Sequence, residues 1–383
     1  MHKFCVFLCE RIIEAMTFER TSPFNQLPLL PPEDGKIYDK EVLLLLAKAH
    51  RSLGKLDGIS RKLPNPLMLV NTISLQEAKS SSEIENIFTT DDELYKAIST
   101  TDTRISPTAK EVLRYRASLW TGVEHITKHD HIDLQTIIRI YQNIKQTQTG
   151  IRSEHSNVRI LKGGKSITSG EVVYTPPKGD DILNKLLNNL LIFLNNEKKY
   201  NLDPLLKMAI GNYQFEAIHP FPDGNGRTGR ILNTLILMNK GLLSHPILYL
   251  SKYIINNKDR YYHYLNGVSS RGDWKRWLLY MLTAVDETAN YTVMKIEEIT
   301  QQFEATRAHI EKHIPNLDFA VIEAIFTQPY IKAIHLVSDK IKSRNTAKKY
   351  LDQLSNIQVL ELKHIGNEIV YINNDLVRIL EST

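Results

Sequence analysis

Apolar residues recur at a helical spacing of three to four positions through most of the chain. Six stretches show this period, residues 40–53, 67–87, 111–126, 133–144, 182–194 and 274–311. Residues 203–217 predict a further helix, because Asp203-Pro204 supplies an N-cap side chain followed by proline at the first helical position. Residues 231–239 predict another, which Gly241 would end. The pattern therefore predicts a mainly α fold.

Two segments interrupt the helical pattern. Residues 24–35 are rich in proline and predict an extended arm over the surface. Residues 150–177 contain several glycines, with β-favouring residues at 158–161 and 172–175. This arrangement predicts a β-hairpin flap between helices, ended by two consecutive prolines.

In the last 70 or so residues the predicted elements are shorter and include strands. Three short helices are predicted at 319–326, 334–341 and 346–354, and two strands at 359–364 and 368–372, joined at Gly366-Asn367. This order of elements is typical of a small winged helix. The chain then divides into an N-terminal arm with helices (1–110), a central helical core with the flap (111–312) and a winged-helix domain (313–383).

Composition excludes several classes of protein. Of 383 residues, 42% are apolar and 24% charged, and the net charge of +5 is too small to indicate nucleic-acid binding by itself. No apolar run approaches the ~18 to 20 residues of a membrane span, and the run at 4–8 is too short for a signal peptide. Cys5 and Cys9 cannot form a disulfide framework and fit a reducing cytosol, so we expect a cytoplasmic protein. Met16 is an alternative first residue of the translated protein.

The segment 219–230, HPFPDGNGRTGR, lies between two predicted helices and carries the candidate chemistry. Gly224 and Gly226 lack Cβ atoms, so the backbone can turn sharply and approach a ligand closely. The second helix is predicted to begin inside this segment, and its first amides would form an anion site. Arg227 and Arg230 are three residues apart, so both can project on one side of that helix toward phosphate oxygens.

Two further side chains complete a set suited to phosphorus-group transfer. Asp223 is a hard oxygen donor for Mg²⁺, and a neutral His219 could accept the proton of an attacking hydroxyl. Each feature alone has an ordinary explanation, since Gly-Asn-Gly is a common turn, a histidine before proline is usually structural, and an acid with two arginines is usually a solvated face. The combined order over twelve residues favours a site.

The segment resembles the signature of the Fic family, His-x-Phe-x-(Asp/Glu)-Gly-Asn-Gly-Arg-x-x-Arg, at every specified position. Fic enzymes are mostly AMP transferases that modify Ser, Thr or Tyr of a target protein, so the resemblance implies ATP as substrate and Mg²⁺ as cofactor. The roles it implies are His219 as base, Phe221 as core anchor, Asp223 as Mg²⁺ ligand, Gly224, Asn225 and Gly226 as anion hole, Arg227 as phosphate contact and Arg230 as γ-phosphate partner. The phosphorylating Doc branch carries lysine in the glycine–asparagine core, which this chain does not.

The resemblance also implies a role for the flap, and two residues further along the chain are candidates for contact with the nucleotide. Fic proteins place a β-hairpin beside the signature, where it holds the target chain by strand pairing, and the candidates here are Val172, Val173 and Tyr174. The alternative is an ordinary surface hairpin. Asn257 and Tyr261 are candidates for the border of adenine and ribose, although an aromatic residue there is equally typical of a core.

An inhibitory motif is predicted upstream. On a helix, Ser81 and Glu85 share a face, which by itself is as typical of a capping segment. With Asn86 they also resemble the family's inhibitory motif, (Ser/Thr)-x-x-x-Glu-(Gly/Asn). The resemblance implies that Glu85 pairs with Arg230 in place of the γ-phosphate and restrains AMP transfer, and in some relatives this glutamate also assists removal of AMP.

The winged helix leaves a second function open. Its third helix carries Ser343, Arg344, Asn345, Lys348 and Lys349 near its start, where a recognition helix would touch DNA. Four nearby acidic residues offset the positive charge of this helix. Winged helices also serve as protein-contact modules. The alternative is therefore a DNA-binding regulator whose Fic core senses nucleotide without turnover. The sequence leaves homodimerisation and the identity of the target protein open.

Overall fold

The structure, a computed structural model, describes residues 18–62, 67–99, 105–162 and 171–382. The helices before the flap are α1 (Asp34–Ile37), α2 (Lys40–Ser60), α3 (Leu67–Ile84), α4 (Asp91–Ser99), α5 (Pro107–His129) and α6 (Leu134–Lys145). The flap strands β1 (Ile160–Lys162) and β2 (Glu171–Tyr174) follow. The central helices after them are α7 (Asp180–Asn195), α8 (Pro204–Ile218), α9 (Asn225–Asn239), α10 (Leu250–Asn256), α11 (Lys258–Arg271) and α12 (Trp274–His313).

The fold is mainly α, as predicted, and α8 is its centre. Every residue of α8 from Leu205 to Ile218 is buried, and the helix packs between α7, α9 and α12. Its start is confirmed, because the Asp203 side chain accepts a hydrogen bond from the Leu205 amide at 2.8 Å. The fully buried α8 and the buried start of α9 give the loop that joins them a rigid base.

Most of residues 24–33 are exposed and without regular structure, as predicted for a surface arm, and α1 begins at Asp34. Leu27 and Leu30 are buried, and the Asn189 side-chain amide binds the main chain of Leu30 through both its oxygen and its nitrogen. The Gln214 side chain also donates to the Pro28 carbonyl at 3.0 Å. Apolar side chains between the prolines therefore dock this segment on α7 and α8, an effect that the proline pattern alone does not reveal.

The C-terminal part combines four helices with a small sheet. Its elements are α13 (Phe319–Thr327), β3 (Tyr330–Ile331), α14 (Ala333–Leu336), α15 (Arg344–Asn356), β4 (Glu361–Ile365), β5 (Glu368–Ile372) and α16 (Asn374–Glu381). The antiparallel sheet has the order β3-β5-β4, with β4 and β5 joined at Gly366 as predicted. The predicted helix 334–341 is wrong in length, because Val337 turns to an extended conformation and ends α14.

Some predicted features lie outside the described residues. They are Cys5, Cys9, Met16 and the flap-turn glycines Gly163, Gly164 and Gly170. Across the ranges that the structure does describe, no helix combines the length and the apolar character needed to cross a bilayer.

Candidate active site

The segment 219–230 forms a tight loop that leads into α9. Helix α8 ends at His219, whose backbone is left-handed with φ 50° and whose amide donates to the Phe215 carbonyl at 3.0 Å. Gly224 has φ 79°, a conformation that glycine adopts without strain, and α9 begins at Asn225. The predicted helix start is therefore confirmed.

Two side chains of the loop maintain its shape. The Phe221 ring is fully buried and stacks on Tyr141, with ring centroids 4.0 Å apart. The Asn225 side chain accepts a hydrogen bond from the Phe221 amide at 2.9 Å and donates to its carbonyl at 2.8 Å. The Asn225 side chain is thus used within the protein, and what it offers an anion is its main-chain amide at the start of α9.

Sequence reasoning missed Arg152, a buried arginine that holds the loop from behind. Its guanidinium donates to the carbonyls of His219 at 2.8 Å, Ile218 at 3.2 Å and Pro177 at 2.5 Å. Its main-chain amide donates to the Pro220 carbonyl at 2.9 Å. One side chain therefore joins the end of α8, the loop and the base of the flap.

The imidazole of His219 is held in its neutral form. Burial lowers its pKa to about 4, so the ring is uncharged at neutral pH. Its Nδ1 atom lies 3.4 Å from the Glu216 carbonyl oxygen. A proton on Nδ1 faces that carbonyl and leaves Nε2 as the acceptor.

A second buried titratable group lies one turn before His219. Glu216 is 8% exposed, and its Oε1 atom has no hydrogen-bond partner among the described residues. Burial raises the pKa of Glu216 to about 7, against the opposing charge of Arg230. Sequence reasoning did not single out Glu216, because an acid on an otherwise apolar helix has no local signature.

A carboxylate of the protein itself lies beside the first turn of α9, where the anion site is predicted. A Cβ atom at Gly226 would collide with Glu85 Oε1 and would lie 2.9 Å from a terminal nitrogen of Arg230. The Glu85 carboxylate therefore rests against the backbone at the first turn of α9. That is where helix amides and the helix dipole favour a phosphate.

Arg230 is held by the predicted inhibitory motif. Its Nε donates to Ser81 Oγ at 2.7 Å, and one terminal nitrogen donates to the Ser81 carbonyl at 2.8 Å and to Glu85 Oε1 at 2.7 Å. Its side chain is only 2% exposed. Burial alone would lower the pKa of Arg230, but the charge of Glu85 raises it on balance.

The end of α3 fixes the position of Glu85. Asn86 is left-handed with φ 61°, its amide donates to the Glu83 carbonyl at 2.9 Å, and the Ile87 amide donates to the Ser82 carbonyl at 3.0 Å. These bonds form a Schellman motif, which explains an asparagine or glycine after the glutamate. Asn86 therefore shapes the helix end and makes Glu85 its C-cap residue.

Arg227 contacts a different acid from Arg230. It is buried and donates to Glu111 Oε1 at 2.6 Å, while its Nε has no partner among the described residues. The two arginines thus lie on one helix as predicted but are held by separate carboxylates, one on α5 and one after α3.

Asp223 lies at the exposed rim of the loop. Its Oδ1 accepts a hydrogen bond from the Gly224 amide at 2.6 Å, and its Oδ2 pairs with Lys145 Nζ at 2.5 Å. Burial would raise the pKa of Asp223, but the hydrogen bond and charge of Lys145 lower it on balance. The Asp223 carboxylate is therefore ionised, and it is 69% exposed beside the predicted phosphate site. Carboxylate oxygens are ligands that Mg²⁺ prefers.

The candidate nucleotide border lies on α10 and α11. The Tyr261 ring is buried beside Trp277 and Tyr280, with ring centroids 5.5 and 6.0 Å away. Asn257 precedes α11, and its amide nitrogen donates to the Tyr253 carbonyl at 3.0 Å. The assignment of Asn257 and Tyr261 to the nucleotide stays a prediction, and the exposed ring of Tyr262 is a further candidate.

The flap is anchored to both α8 and the N-terminal arm. Val172 and Val173 are half-buried, whereas Tyr174 is buried and its hydroxyl donates to the Ala217 carbonyl at 2.9 Å. The arm lies against β2, since the Phe24 amide donates to the Thr175 carbonyl at 3.0 Å. Of the three flap residues, the two valines leave more side chain accessible than Tyr174.

Three family models match the chain. They are the Fic/DOC family N-terminal model at residues 43–124, the Fic/DOC family model at residues 131–237, and the model of the protein adenylyltransferase SoFic-like C-terminal domain at residues 302–376. The second match contains the loop 219–230 and the first contains Ser81, Glu85 and Asn86.

Individual relatives match over shorter spans. A probable protein adenylyltransferase of Aquifex aeolicus is 31% identical over 188 residues, which is 48% of this chain and 53% of that protein. The protein adenylyltransferase Fic of Aedes aegypti is 27% identical over 177 residues, or 46% of this chain and 32% of that protein. The matches thus span about a third to a half of these curated relatives.

Solved structures share the fold at low sequence identity. A Fic family protein from Desulfovibrio desulfuricans G20 superimposes with a TM-score of 0.56 at 20% identity, covering 90% of this chain and 98% of that chain. Residues 134–508 of Fic-1 from Caenorhabditis elegans give a TM-score of 0.52 at 20% identity, with 67% and 74% coverage.

Proposed function

Because the chain belongs to the Fic/DOC family, we propose that it is a protein adenylyltransferase that moves AMP from ATP to a hydroxyl side chain of a target protein. The observation that carries this proposal is the short loop that joins the neutral imidazole of His219, at the end of α8, to the start of α9 at Asn225. A base next to a phosphate cradle is the minimum that such a transfer needs.

In the proposed reaction, the target hydroxyl oxygen attacks the α-phosphorus of ATP. Its proton passes to His219 Nε2, the new O–P bond joins AMP to the target, and pyrophosphate leaves. The amides of Asn225 and Gly226 and the Arg230 guanidinium stabilise the phosphate charge, and Arg227 is a further contact. The Gly224 amide joins them once it leaves Asp223 Oδ1. Fixed donors of this kind supply most of the catalysis in phosphorus-group transfer.

Asp223 is the proposed Mg²⁺ ligand. Its carboxylate is exposed and ionised, and Mg²⁺ would replace the Lys145 ammonium group that now pairs with Oδ2. When bound there, Mg²⁺ would neutralise phosphate charge. Lys145 would hold Asp223 in place before nucleotide arrives.

The proposed restraint on this activity is Glu85. Its carboxylate uses the Arg230 donor and the anion site together, so the γ-phosphate of ATP would have to displace it. The same carboxylate could orient water in the reverse reaction that removes AMP. The proposed target chain pairs with the flap at Val172 and Val173.

The nature of the transfer can be tested with two labelled forms of ATP. Label in the α-phosphate should become protein-bound with the purified chain, Mg²⁺ and the Glu85→Gly substitution, and label in the γ-phosphate should leave as pyrophosphate. Retention of γ-label on protein would indicate phosphorylation. If neither label is retained by the chain or by any added target, the transferase proposal fails.

The pH dependence of transfer provides a test of His219. With a pKa of about 4, His219 loses its ability to accept a proton only as the pH falls through about 4, not through 6.5. We expect the single-turnover rate of the Glu85→Gly protein to show no histidine limb between pH 5 and 8. An acid limb near pH 6.5 that persists after the contribution of other titrating groups is removed would contradict a neutral His219 as the base.

Glu216 supplies the control for this profile, because its pKa of about 7 could add a limb of its own. The profile should therefore be measured again with Glu216→Gln added to Glu85→Gly. A limb near 7 that disappears in the double variant belongs to Glu216.

A second candidate function is DNA binding by the C-terminal part, whose order α13, β3, α14, α15, β4, β5 is that of a winged helix. Arg344 and Lys349 at the start of α15 are exposed, and within the described residues neither forms an ion pair, whereas Lys348 pairs with Asp352 at 2.6 Å. Exposed cations at the start of this helix are what a recognition helix needs.

Gel shifts at several salt concentrations test this candidate. If α15 binds DNA, Arg344→Ala with Lys349→Ala should weaken binding and reduce the salt slope by roughly 1 for each phosphate that the variant no longer binds. Lys312→Ala, on α12, is the matched control and should leave the slope unchanged. No shift by the parent chain at low salt would exclude DNA as a partner of this domain.

A further inference from the structure

Four residues at the junction of α5 and α6 form a cluster of imidazole and carboxylate groups. In the sequence, this cluster lies far from the loop 219–230 that carries the proposed transferase residues. His125 and His129 lie in the last two turns of α5, His131 lies in the connecting turn, and Asp133 is the N-cap of α6. The rings of His125 and His129 are 4.5 Å apart, and those of His125 and His131 are 5.7 Å apart.

The potential ligand atoms have the spacing of a small metal site. One ligand atom each from His125, His131 and Asp133 lie within 4.8 Å of one another. Asp133 Oδ2 is 3.6 Å from His125 Nε2 and 3.9 Å from His131 Nε2. Tetrahedral Zn²⁺ with bonds of ~2.0 to 2.1 Å places its ligand atoms ~3.3 to 3.5 Å apart. The two distances to Asp133 are close to this spacing, and the third pair, His125 with His131, lies within 4.8 Å, so the two imidazoles would move toward each other when an ion binds.

The other atoms of these side chains are already used in ways that orient the ligand atoms. His131 Nδ1 lies 2.8 Å from the His129 carbonyl oxygen, so it donates there and leaves Nε2 without a proton. Asp133 Oδ1 accepts a hydrogen bond from the Thr136 amide at 2.6 Å and leaves Oδ2 toward the histidines. In metal sites, hydrogen bonds made by the other polar atom of a ligand side chain fix its orientation in this way.

His125 is the least expected member of the group. Its Nε2 atom is buried and has no hydrogen-bond partner among the described residues. A buried polar atom usually has a hydrogen-bond partner, since leaving it without one destabilises the folded state. A metal ion bound by Nε2 would satisfy it, whereas the 3.6 Å separation from Asp133 is too long for a hydrogen bond.

We propose that His125, His131 and Asp133 form a binding site for a divalent transition-metal ion of the Zn²⁺ type. Two imidazoles with one carboxylate select Zn²⁺, Co²⁺ or Ni²⁺ over Mg²⁺, which prefers oxygen ligands alone. His129, which is exposed beside the group, or a water molecule completes the coordination. The site is therefore chemically distinct from the proposed Mg²⁺ position at Asp223.

The ion would fasten α5 to α6 at their connection. Both helices serve the loop 219–230 at other points, since α5 carries Glu111 and α6 carries Tyr141 and Lys145. The expected effect is therefore on stability, because an ion that binds only the folded chain raises its melting temperature in proportion to the logarithm of its concentration.

The test uses the full chain without a histidine tag, in excess Mg²⁺, titrated with ZnCl₂ by calorimetry and with CoCl₂ by visible absorption. We expect one Zn²⁺ per chain, a tetrahedral Co²⁺ spectrum and a higher melting temperature with Zn²⁺. Asp133→Asn is the decisive variant, because asparagine keeps the N-cap of α6 while removing the charged ligand. His131→Gln is a second variant at an exposed position.

Each of these two variants should lose at least tenfold in Zn²⁺ affinity and lose the tetrahedral Co²⁺ spectrum. His155→Gln, an exposed histidine in a loop elsewhere, is the matched control and should bind as the parent does. Equal Zn²⁺ affinity in the parent and in Asp133→Asn would overturn the proposal, as would a parent chain that binds no Zn²⁺. Both results are independent of whether the chain transfers AMP.

Discussion

Replacing Glu85 with glycine should raise the incorporation of AMP into protein at least ~tenfold, because hydrogen bonds to charged groups are worth about 1.5–3 kcal/mol. The Glu85 side chain is about one third exposed, so the lower end of that range is the appropriate estimate. The substitution frees the Arg230 donor and the anion site of α9 together. Incorporation is measured with ATP labelled in the α-phosphate, followed by mass spectrometry for an added AMP group.

The structure favours glycine for this experiment. Glu85 is the C-cap residue of α3 and precedes the left-handed Asn86, so glycine there does not remove a helical hydrogen-bond donor or strain the turn. Glu85→Gln keeps the size of the side chain but loses its charge, and we expect an intermediate rate.

Glu83→Gln is the matched control, because Glu83 is two residues away and the hydrogen bonds of Arg230 within the described part of the chain go to Ser81 and Glu85. Its rate should equal that of the parent. If Glu85→Gly and the parent incorporate AMP equally, the contact between Glu85 and Arg230 is structural and does not restrain the enzyme.

Removing the imidazole of His219 should lower AMP transfer by about 10² to 10⁴-fold, the range for loss of a positioned general base. Binding of ATP should change little, because in the proposed complex its phosphates would contact the start of α9 rather than the ring. Both quantities are best measured in the Glu85→Gly chain, where the starting rate is highest.

The backbone of His219 determines which substitution is informative. His219 has φ 50°, which alanine adopts only with strain, whereas asparagine tolerates this region. His219→Asn therefore removes the base and keeps the loop, while His219→Ala reports on both. A His219→Asn protein that transfers AMP at the parental rate would show that another group accepts the proton.

Local chemistry made several features predictable from the sequence. The start of α9 at Asn225 follows from glycines that permit a sharp turn, and the start of α8 follows from Asp203-Pro204. The contact between Glu85 and Arg230 was expected only from the family resemblance, since the two residues are 145 positions apart. No spacing rule connects groups at that distance.

The contacts that hold the site rigid were not predictable. Arg152, Lys145 and Glu111 reach the loop from 67, 78 and 116 positions away, and each looks like an ordinary surface charge in its own segment. Helices α10 and α11 were also missed, because α11 is largely polar and α10 is only seven residues long. Their position depends on packing against α12, which is a property of the folded chain.

The bonds that Arg152 makes have a consequence for how an acceptor would be selected. A single guanidinium binds the flap base at Pro177 and the carbonyls of Ile218 and His219, so a peptide that docked on the flap as proposed would be held at a constant height above the imidazole. This height would determine which side-chain hydroxyl of the peptide can reach the imidazole. Substitutions along β2 would change which hydroxyl of a substrate is chosen, and the intrinsic speed of its deprotonation would stay the same.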